Sequence, residues 1–586
     1  MRAIAAERAA LAAWRAALGA ESPAELVAAV ARAGGAPDVA VQEFCASVGI
    51  ARPGAGGVHP RVPDVLGGPA ALGMVHQTAL PRTGRRRGGV FYTPRGLART
   101  VVDRAISAAG VPGTACDPAV GGGAFLLAVA DAAVTAGRDP AVVVAGLWGA
   151  DIDPVAVEVS RLALRWWAAD HGVDDDPAGR LVVADALAGI PTWRDAPAGF
   201  DLVVGNPPFL SQLRGRAVRT EGRRAVLVER FGPAAGGYVD DAALFLLAAL
   251  DLTAAGGSVA LLQPVSVLTA EHAEGTRAAV ERRAVLREVG DPGTGWFDAS
   301  VEVCTVHLDV PAEALEASDG ASKSWADRLA EARGLPAVDV AAWTSRGSLG
   351  DVARVTSAFR DQYYGLVPAV TDGPRPGQPR LITVGSVGLL RDEHGRRPVR
   401  FARRRWAAPT VDLEVLEATS PRVAAWVRGL LHPKVVVAPQ GRLLTCAVDP
   451  DGTIVPSVPL SAVSPLEGGH DAVSPWHLAA VLLSPPVSAL VARRYVGSGL
   501  GPETLRVPAR ALRDLPLPGH RARWDRVASD LADLATLDDP RRRAEGLVAA
   551  GTAMCRMYDV DAEELVPWWA ERVRATLRPL TGPGPG

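Results

Sequence analysis

Between residues 110 and 210, short apolar runs alternate with longer helix-like stretches, and each run ends on an acid or an amide. Thr114-Ala115-Cys116 runs into Asp117, and the glycine loop Gly121-Gly122-Gly123 then leads to the apolar helix start Ala124-Phe125-Leu126-Leu127. Val142 to Ala150 predicts a second strand ending at Asp151-Ile152-Asp153. Pro154 then opens a helix through Trp167, since proline is tolerated in a first turn. Leu181 to Ala184 predicts a third strand ending in Asp185, and Phe200 to Gly205 a fourth ending in Asn206. Further on, Asp241 to Leu252 reads as an apolar helix, Gly256-Gly257 as a turn before a buried strand to Pro264, and Val301 to Val310 as another strand. Strands alternating with helices predict an open α/β sheet. Ligands bind such sheets beyond the carboxyl ends of the strands, so Asp117, Asp151, Asp185 and Asn206 are predicted to share one cleft.

The chemistry concentrates at Asn206-Pro207-Pro208-Phe209. Two prolines remove two backbone donors and hold the chain extended, which presents Asn206 rigidly at a strand end. The carboxamide oxygen and the Pro207 carbonyl can accept both hydrogens of an exocyclic amine, and Phe209 offers a flat face. Drawing those hydrogens onto fixed acceptors localises the nitrogen lone pair that an aromatic ring otherwise delocalises. Alone, such a motif reads as a stiffened turn. The glycine loop ahead of it lets backbone approach a ligand closely. It is neither a phosphate loop, since no Gly-Lys-Ser/Thr follows, nor a dinucleotide G-x-G-x-x-G.

Taken together, Gly89-Val90-Phe91-Tyr92-Thr93-Pro94, the stretch from Asp117 through Gly121-Gly122-Gly123 to Phe125-Leu126, and Asn206 to Phe209 resemble the amino-group DNA methyltransferases of the γ motif order, typical of N6-adenine enzymes. The chain is similar to TaqI-type modification enzymes and to methylase subunits of restriction and phage-defence systems, chiefly from Gly88 to Leu308 and more weakly to Pro518. The resemblance implies a Rossmann-like, S-adenosylmethionine-dependent sheet and a site-specific adenine methyltransferase. It implies that Thr93 and Pro94 line the methionine end of the cofactor, with Asp117, Ala119, Gly121 and Gly123 around its amino acid moiety. Asp151 would bind the ribose hydroxyls, Ile152 would lie against the adenine, and Asp185 would accept from the adenine amine. Asn206 and Pro207 would hold the target amine, with Phe209, where tyrosine is commoner, stacking on the base. Phe297 is the candidate for the opposite face of that base, and Trp296 competes for the role. The base would have to be flipped out of the duplex, because the cleft cannot reach it there.

Charge patterning adds candidate DNA contacts. The segment after Phe209 carries Arg214, Arg216, Arg219, Arg223, Arg224 and Arg230 against Glu221 and Glu229, and Arg214 and Arg216 stand nearest the motif. Nine arginines lie between 375 and 405 against Asp392 and Glu393, among them Arg396, Arg397, Arg403 and Arg404, with Phe401 and Trp406 close by. Arginine forks suit guanine edges and phosphates alike.

At 586 residues the chain exceeds one core. The expected organisation is an Ala-rich N-terminal helical segment (1–80), a catalytic domain (81–312), a linker (313–350), a mixed α/β target-recognition domain (351–520) and a C-terminal helical segment with a Gly-Pro tail (521–586). Within these, Trp476 to Tyr495 reads as one helix. The net charge of −2 requires any basic surface to be local. Five cysteines at 45, 116, 304, 446 and 555 have neither zinc nor disulfide spacing, and no metal is expected. Early charges (Arg2, Glu7, Arg8, Arg15) and the lack of an apolar run of about 18 residues predict no signal peptide and no membrane span, hence a cytoplasmic protein. Double-stranded DNA is the expected partner, with a separate restriction or defence subunit in view, since no nuclease pattern is present. Two rival classes remain: methylation of another amine (cytosine N4, RNA adenine or protein glutamine), and a non-catalytic DNA-binding subunit with a methylase-like fold. The long region after the catalytic domain disfavours RNA and protein substrates, Asn206 where N4-cytosine enzymes more often carry serine disfavours cytosine, and the filled motif positions disfavour the second class.

Overall fold

The computed structural model describes residues 22–51, 68–79, 93–209, 220–237, 239–293, 296, 302–313, 323–358, 360–466, 472–499 and 504–577. The chain divides into two compact units, Met1–Ala332 and Arg333–Gly586.

The first unit is built on seven strands: β1 (Ala115–Asp117), β2 (Leu147–Asp151), β3 (Leu181–Val183), β4 (Phe200–Gly205), β5 (Thr253–Pro264), β6 (Val285–Gly290) and β7 (Val303–Asp309). Their order across the sheet is β3-β2-β1-β4-β5-β7-β6. The first five run parallel, and β7 inserts antiparallel between β5 and β6. The order reverses between β1 and β4, and that switch point is where an open α/β sheet leaves a crevice.

Helices follow from local signals. In the N-terminal segment α1 (Pro23–Gly34) starts on a Ser22–Glu25 capping box, and α2 (Asp38–Val48) and α3 (Ala71–Ala79) follow. Side chains of all three enter the same core as the sheet. Helix α4 (Arg95–Ala109) precedes β1, and α5 (Ala124–Thr135) follows the glycine loop, where Gly121 and Gly123 take left-handed φ of 53° and 82°. The run Val142 to Ala150, expected as one strand, is in fact a short helix, α6 (Pro140–Ala145), then Gly146 and β2. Asp139 caps the Ala141 N–H and Pro140 sits in the first turn, so a local helix start overrides the β preference of three valines. Helix α7 (Pro154–Asp170) is capped by Asp153, α8 (Glu221–Phe231) by Thr220, and the buried α9 (Asp241–Leu252) by Asp240.

Within the stretch expected as a linker, Trp325–Ala332 forms a helix of the first unit. Trp325 donates from its indole to Glu281 Oε1 (2.7 Å) and Arg328 to the Arg287 carbonyl (3.0 Å). Trp325 and Leu329 are buried, so an apolar stripe docks this segment.

In the second unit a four-stranded antiparallel sheet joins residues 353–357, 434–438, 445–449 and 461–465, and a mixed sheet joins 370–372, 380–382, 409–411 and 454–456. Lys434 and Asp449 form a fully buried ion pair at 2.5 Å, and the Thr453 and Ile454 N–H groups also donate to that carboxylate. The single helix expected across Trp476 to Tyr495 breaks into Pro475–Leu482 and Pro485–Arg494, because Pro485 and Pro486 cannot continue the first and Ser484 caps the second. Three further helices span 521–536, 540–557 and 562–577, and Trp524, Met554 and Trp569 bury in the same core as the antiparallel sheet. No single helix among the described residues is long and apolar enough to cross a membrane.

Candidate active site

The carboxyl ends of β1 to β4 open on a cavity of about 260 Å³. Thr93, Asp117, Ala119, Gly121, Asp151, Ile152, Asp185, Asn206 and Pro208 line it, so residues spread over more than a hundred positions converge as expected. Pro94, Gly123, Pro207 and Phe209 lie outside its lining. Phe297, Arg214 and Arg216 fall outside the described residues.

The carboxylates sit in distinct environments. Asp117 is 1% exposed and accepts the Ala119 N–H at 3.0 Å. Burial pushes its carboxyl up to about 8 against that hydrogen bond, and the charge of Asp151 pushes the same way. Glycine is required at the end of β4, since a Cβ on Gly205 would stand 2.6 Å from Asp117 Oδ1. Asp151 grips the glycine loop and its own turn, accepting from Gly121 N and Asp153 N, both at 2.9 Å. Burial raises its pKa too. Ser160 of α7 ties the loop down from the other side through the Gly121 carbonyl (2.6 Å). Asn206 is placed by its donor end, its Nδ2 donating to Thr93 Oγ1 at 2.9 Å. That bond joins the Thr93-Pro94 element to the Asn-Pro-Pro element across the cleft.

Three expectations change here. Asp185 accepts from Leu187 N (3.0 Å) and Ala188 N (3.2 Å), and in addition the Arg223 guanidinium forks onto it. Arg223 therefore belongs to the cleft and not to a DNA-facing arginine loop. Arg230 is likewise committed inward, to Asp251 (2.8 Å) and the Ala186 carbonyl. Phe209 is 8% exposed within the main core, so its ring is covered by protein and offers no open stacking face; an apolar ring beside an apolar core buries there. Trp296 packs against the same core and holds the Pro292 carbonyl (2.6 Å).

The nine arginines of 375–405 also sort themselves. Arg375, Arg380, Arg391 and Arg396 pair with carboxylates; Arg396 reaches Asp538 at 3.1 Å and Glu393, which corrects its reading as a free DNA contact. Arg397, Arg400, Arg403, Arg404 and Arg405 are exposed, with no carboxylate in ion-pair range among the described residues. Four of them sit on a two-stranded ribbon, Val399–Phe401 against Arg404–Trp406. Its tip, Ala402 and Arg403, takes left-handed φ of 50° and 63°, a strained turn for residues other than glycine. The ribbon is anchored by Tyr363 Oη, which accepts the Ala402 N–H (3.0 Å), and by the Trp406 indole on the Phe401 carbonyl (3.0 Å).

Reading by sequence missed Gly73, His76 and Gln77 of α3, and Asp153, Asp241 and Phe245, all of which line the cavity. The signal available for α3 was its spacing: Gly73, His76 and Gln77 stand at i, i+3 and i+4, one face of an otherwise apolar helix. Among the described residues no group of three or more His, Cys, Asp or Glu is placed to hold a metal.

The strand order, the glycine loop and the polar strand ends around one cleft define an open, Rossmann-like α/β domain. Residues 76–306 match the N-6 DNA Methylase family model. No curated protein matches the chain in sequence. Among solved structures it is similar to the type IIG restriction endonuclease BpuSI, at 13% identity over 92% of this chain and 77% of that one, with a TM-score of 0.41. A type I restriction-modification methyltransferase subunit from Streptococcus thermophilus matches at 24% identity over 41% of this chain and 49% of its own, with a TM-score of 0.30. A DrdV–DNA complex matches at 13% identity over 81% and 62%, with a TM-score of 0.43. At these values the likenesses transfer no residue roles or activities to this chain.

Proposed function

We propose that the chain is a site-specific DNA methyltransferase that moves a methyl group from S-adenosylmethionine to the N6 amine of a flipped-out adenine, within a restriction-modification or phage-defence system. The observation that carries this reading is the convergence, in one cleft of an N-6 DNA methylase segment, of three strand-end carboxylates with the Asn206 carboxamide. The donor set fits the cofactor. Asp117 suits an ammonium, Asp151 a ribose diol and Asp185 an adenine amine, with Thr93, Pro94, Ala119, Gly121, Gly123 and Ile152 completing the walls.

The cofactor supplies an electrophilic methyl group, and the protein holds the nucleophile. Asn206 and the Pro207 carbonyl accept the two hydrogens of the adenine amine, and Pro208 keeps both acceptors fixed. Such positioning is worth about 7–11 kcal/mol of barrier. Extruding the base costs a few kcal/mol of stacking, part of which Phe297 would return by stacking on it.

Residues 351–520 serve as the target-recognition domain in this reading. A two-stranded ribbon fits the major groove, and Arg397, Arg403 and Arg404 are exposed on or beside the one at 399–406. Arg400 and Arg405 join them, whereas Arg396 helps hold the ribbon's base through Asp538. Arg214 and Arg216 would meet phosphates beside the extruded base, and a separate restriction or defence subunit would supply any cleavage. The test is transfer of radiolabel from S-adenosylmethionine to unmethylated double-stranded DNA. DNA labelling that is lost in Asn206→Ala supports the reading; label entering only protein or RNA sinks it.

A further inference from the structure

Helix α3 comes from the N-terminal segment, yet it forms a wall of the cleft. Gly73 packs so closely on the glycine loop that a Cβ on Gly122 would stand 2.2 Å from the Gly73 Cα. One turn later on the same face, His76 and Gln77 line the cavity. Both are more than nine-tenths buried, at 6% and 9% exposed. Neither side chain makes a hydrogen bond to another described residue, and both line the cavity. Burial lowers the His76 pKa, with the charge of Asp153 opposing, so the ring is neutral at pH 7 and carries one N–H donor. Gln77 adds two more.

These donors offset the acidity of the rest of the cleft. Asp117, Asp151, Asp153, Asp185 and Asp241 make the lining acidic, and the one guanidinium in it among the described residues, Arg223, is engaged by Asp185. An anion can enter such a site only where uncommitted donors converge. His76 and Gln77 supply them beside the glycine loop, where the N-terminus of α5 also favours negative charge. We propose that His76 and Gln77 form the subsite for the carboxylate of the cofactor's methionine moiety, an inference that rests on the cofactor reading above. The N-terminal helical segment is then part of the cofactor site.

Isothermal titration with two probes tests this. S-Adenosylhomocysteine keeps the carboxylate, and 5′-methylthioadenosine lacks the amino acid portion. His76→Phe keeps a ring without the N–H donor, and Gln77→Glu keeps the side-chain size. Each should weaken S-adenosylhomocysteine roughly tenfold to a hundredfold, Gln77→Glu more because it adds a negative charge, while 5′-methylthioadenosine binds as it does to the unaltered protein. Equal weakening of both probes, or of neither, overturns the assignment. If the unaltered protein binds neither probe, the cofactor reading itself fails and this one with it.

Discussion

Replacing Asp117 with asparagine should stabilise the empty protein while removing the charge the cofactor needs. The Asp117 carboxyl rises from 3.8 to about 8 on folding because burial disfavours its ionised form. At pH 7 the unfolded chain carries an ionised carboxylate that the folded one must protonate, across about three pH units at about 1.4 kcal/mol each, or up to about 4 kcal/mol. The sign follows: the folded state binds the extra proton, so this contribution is fully present below the unfolded pKa and is lost as pH rises from about 4 to about 8. The asparagine side chain would keep the acceptor for Ala119 N but bring an NH2 that costs about 1–3 kcal/mol unless partnered. The variant should therefore be no more stable than the wild type near pH 4, and should gain on it by up to about 4 kcal/mol by pH 7, levelling off above pH 8. Native-state amide exchange in β1 and β4, corrected for intrinsic rates, reads the first unit separately from the second. Parallel pH profiles for the two proteins would refute the reasoning. Cofactor affinity should fall in the same variant, a stability–activity trade-off at one side chain.

Other perturbations separate the remaining parts. Arg223→Ala frees Asp185 and should tighten binding of the adenosyl moiety by up to about fivefold, the scale of a partly exposed ion pair; weaker binding in calorimetry would make Arg223 a ligand instead of a competitor. Arg403→Ala and Arg404→Ala should each lower the slope of log DNA affinity against log salt by about 0.9 and leave cofactor affinity alone, and an unchanged slope would remove the ribbon from the interface. Lys434→Met strands Asp449 in the core of the second unit and should cost about 3–5 kcal/mol by chemical denaturation; a loss under about 1 kcal/mol would contradict the buried pair.

What could be read from the sequence was local. Strands β1 to β4 and their Asp117, Asp151, Asp185 and Asn206 series were legible because each polar residue directly follows its own apolar run, whereas β6 was not read from the sequence. The valine run 142–144 misled because its helix is set by Asp139 and Pro140, outside the apolar stretch. Long-range partners were invisible. Arg396 pairs with Asp538, 142 positions away, and Arg223 with Asp185, so neither charge could be classed from neighbouring residues. His76 and Gln77 were hidden for the same reason: nothing in α3 announces that the glycine loop, some 45 residues on, packs on its Gly73 face. Phe209 shows that a motif position can be legible while its side-chain setting is not, because burial depends on the surrounding core.

The most direct measurement is the identity of the methylated base. The purified chain is incubated with isotopically labelled S-adenosylmethionine and unmethylated double-stranded DNA, and the DNA is digested to nucleosides and resolved by mass spectrometry. The account predicts labelled N6-methyladenine as the product, absent in Asn206→Ala even though that variant still binds S-adenosylhomocysteine. Label confined to N4-methylcytosine, or full N6-methyladenine formation by Asn206→Ala, would contradict it.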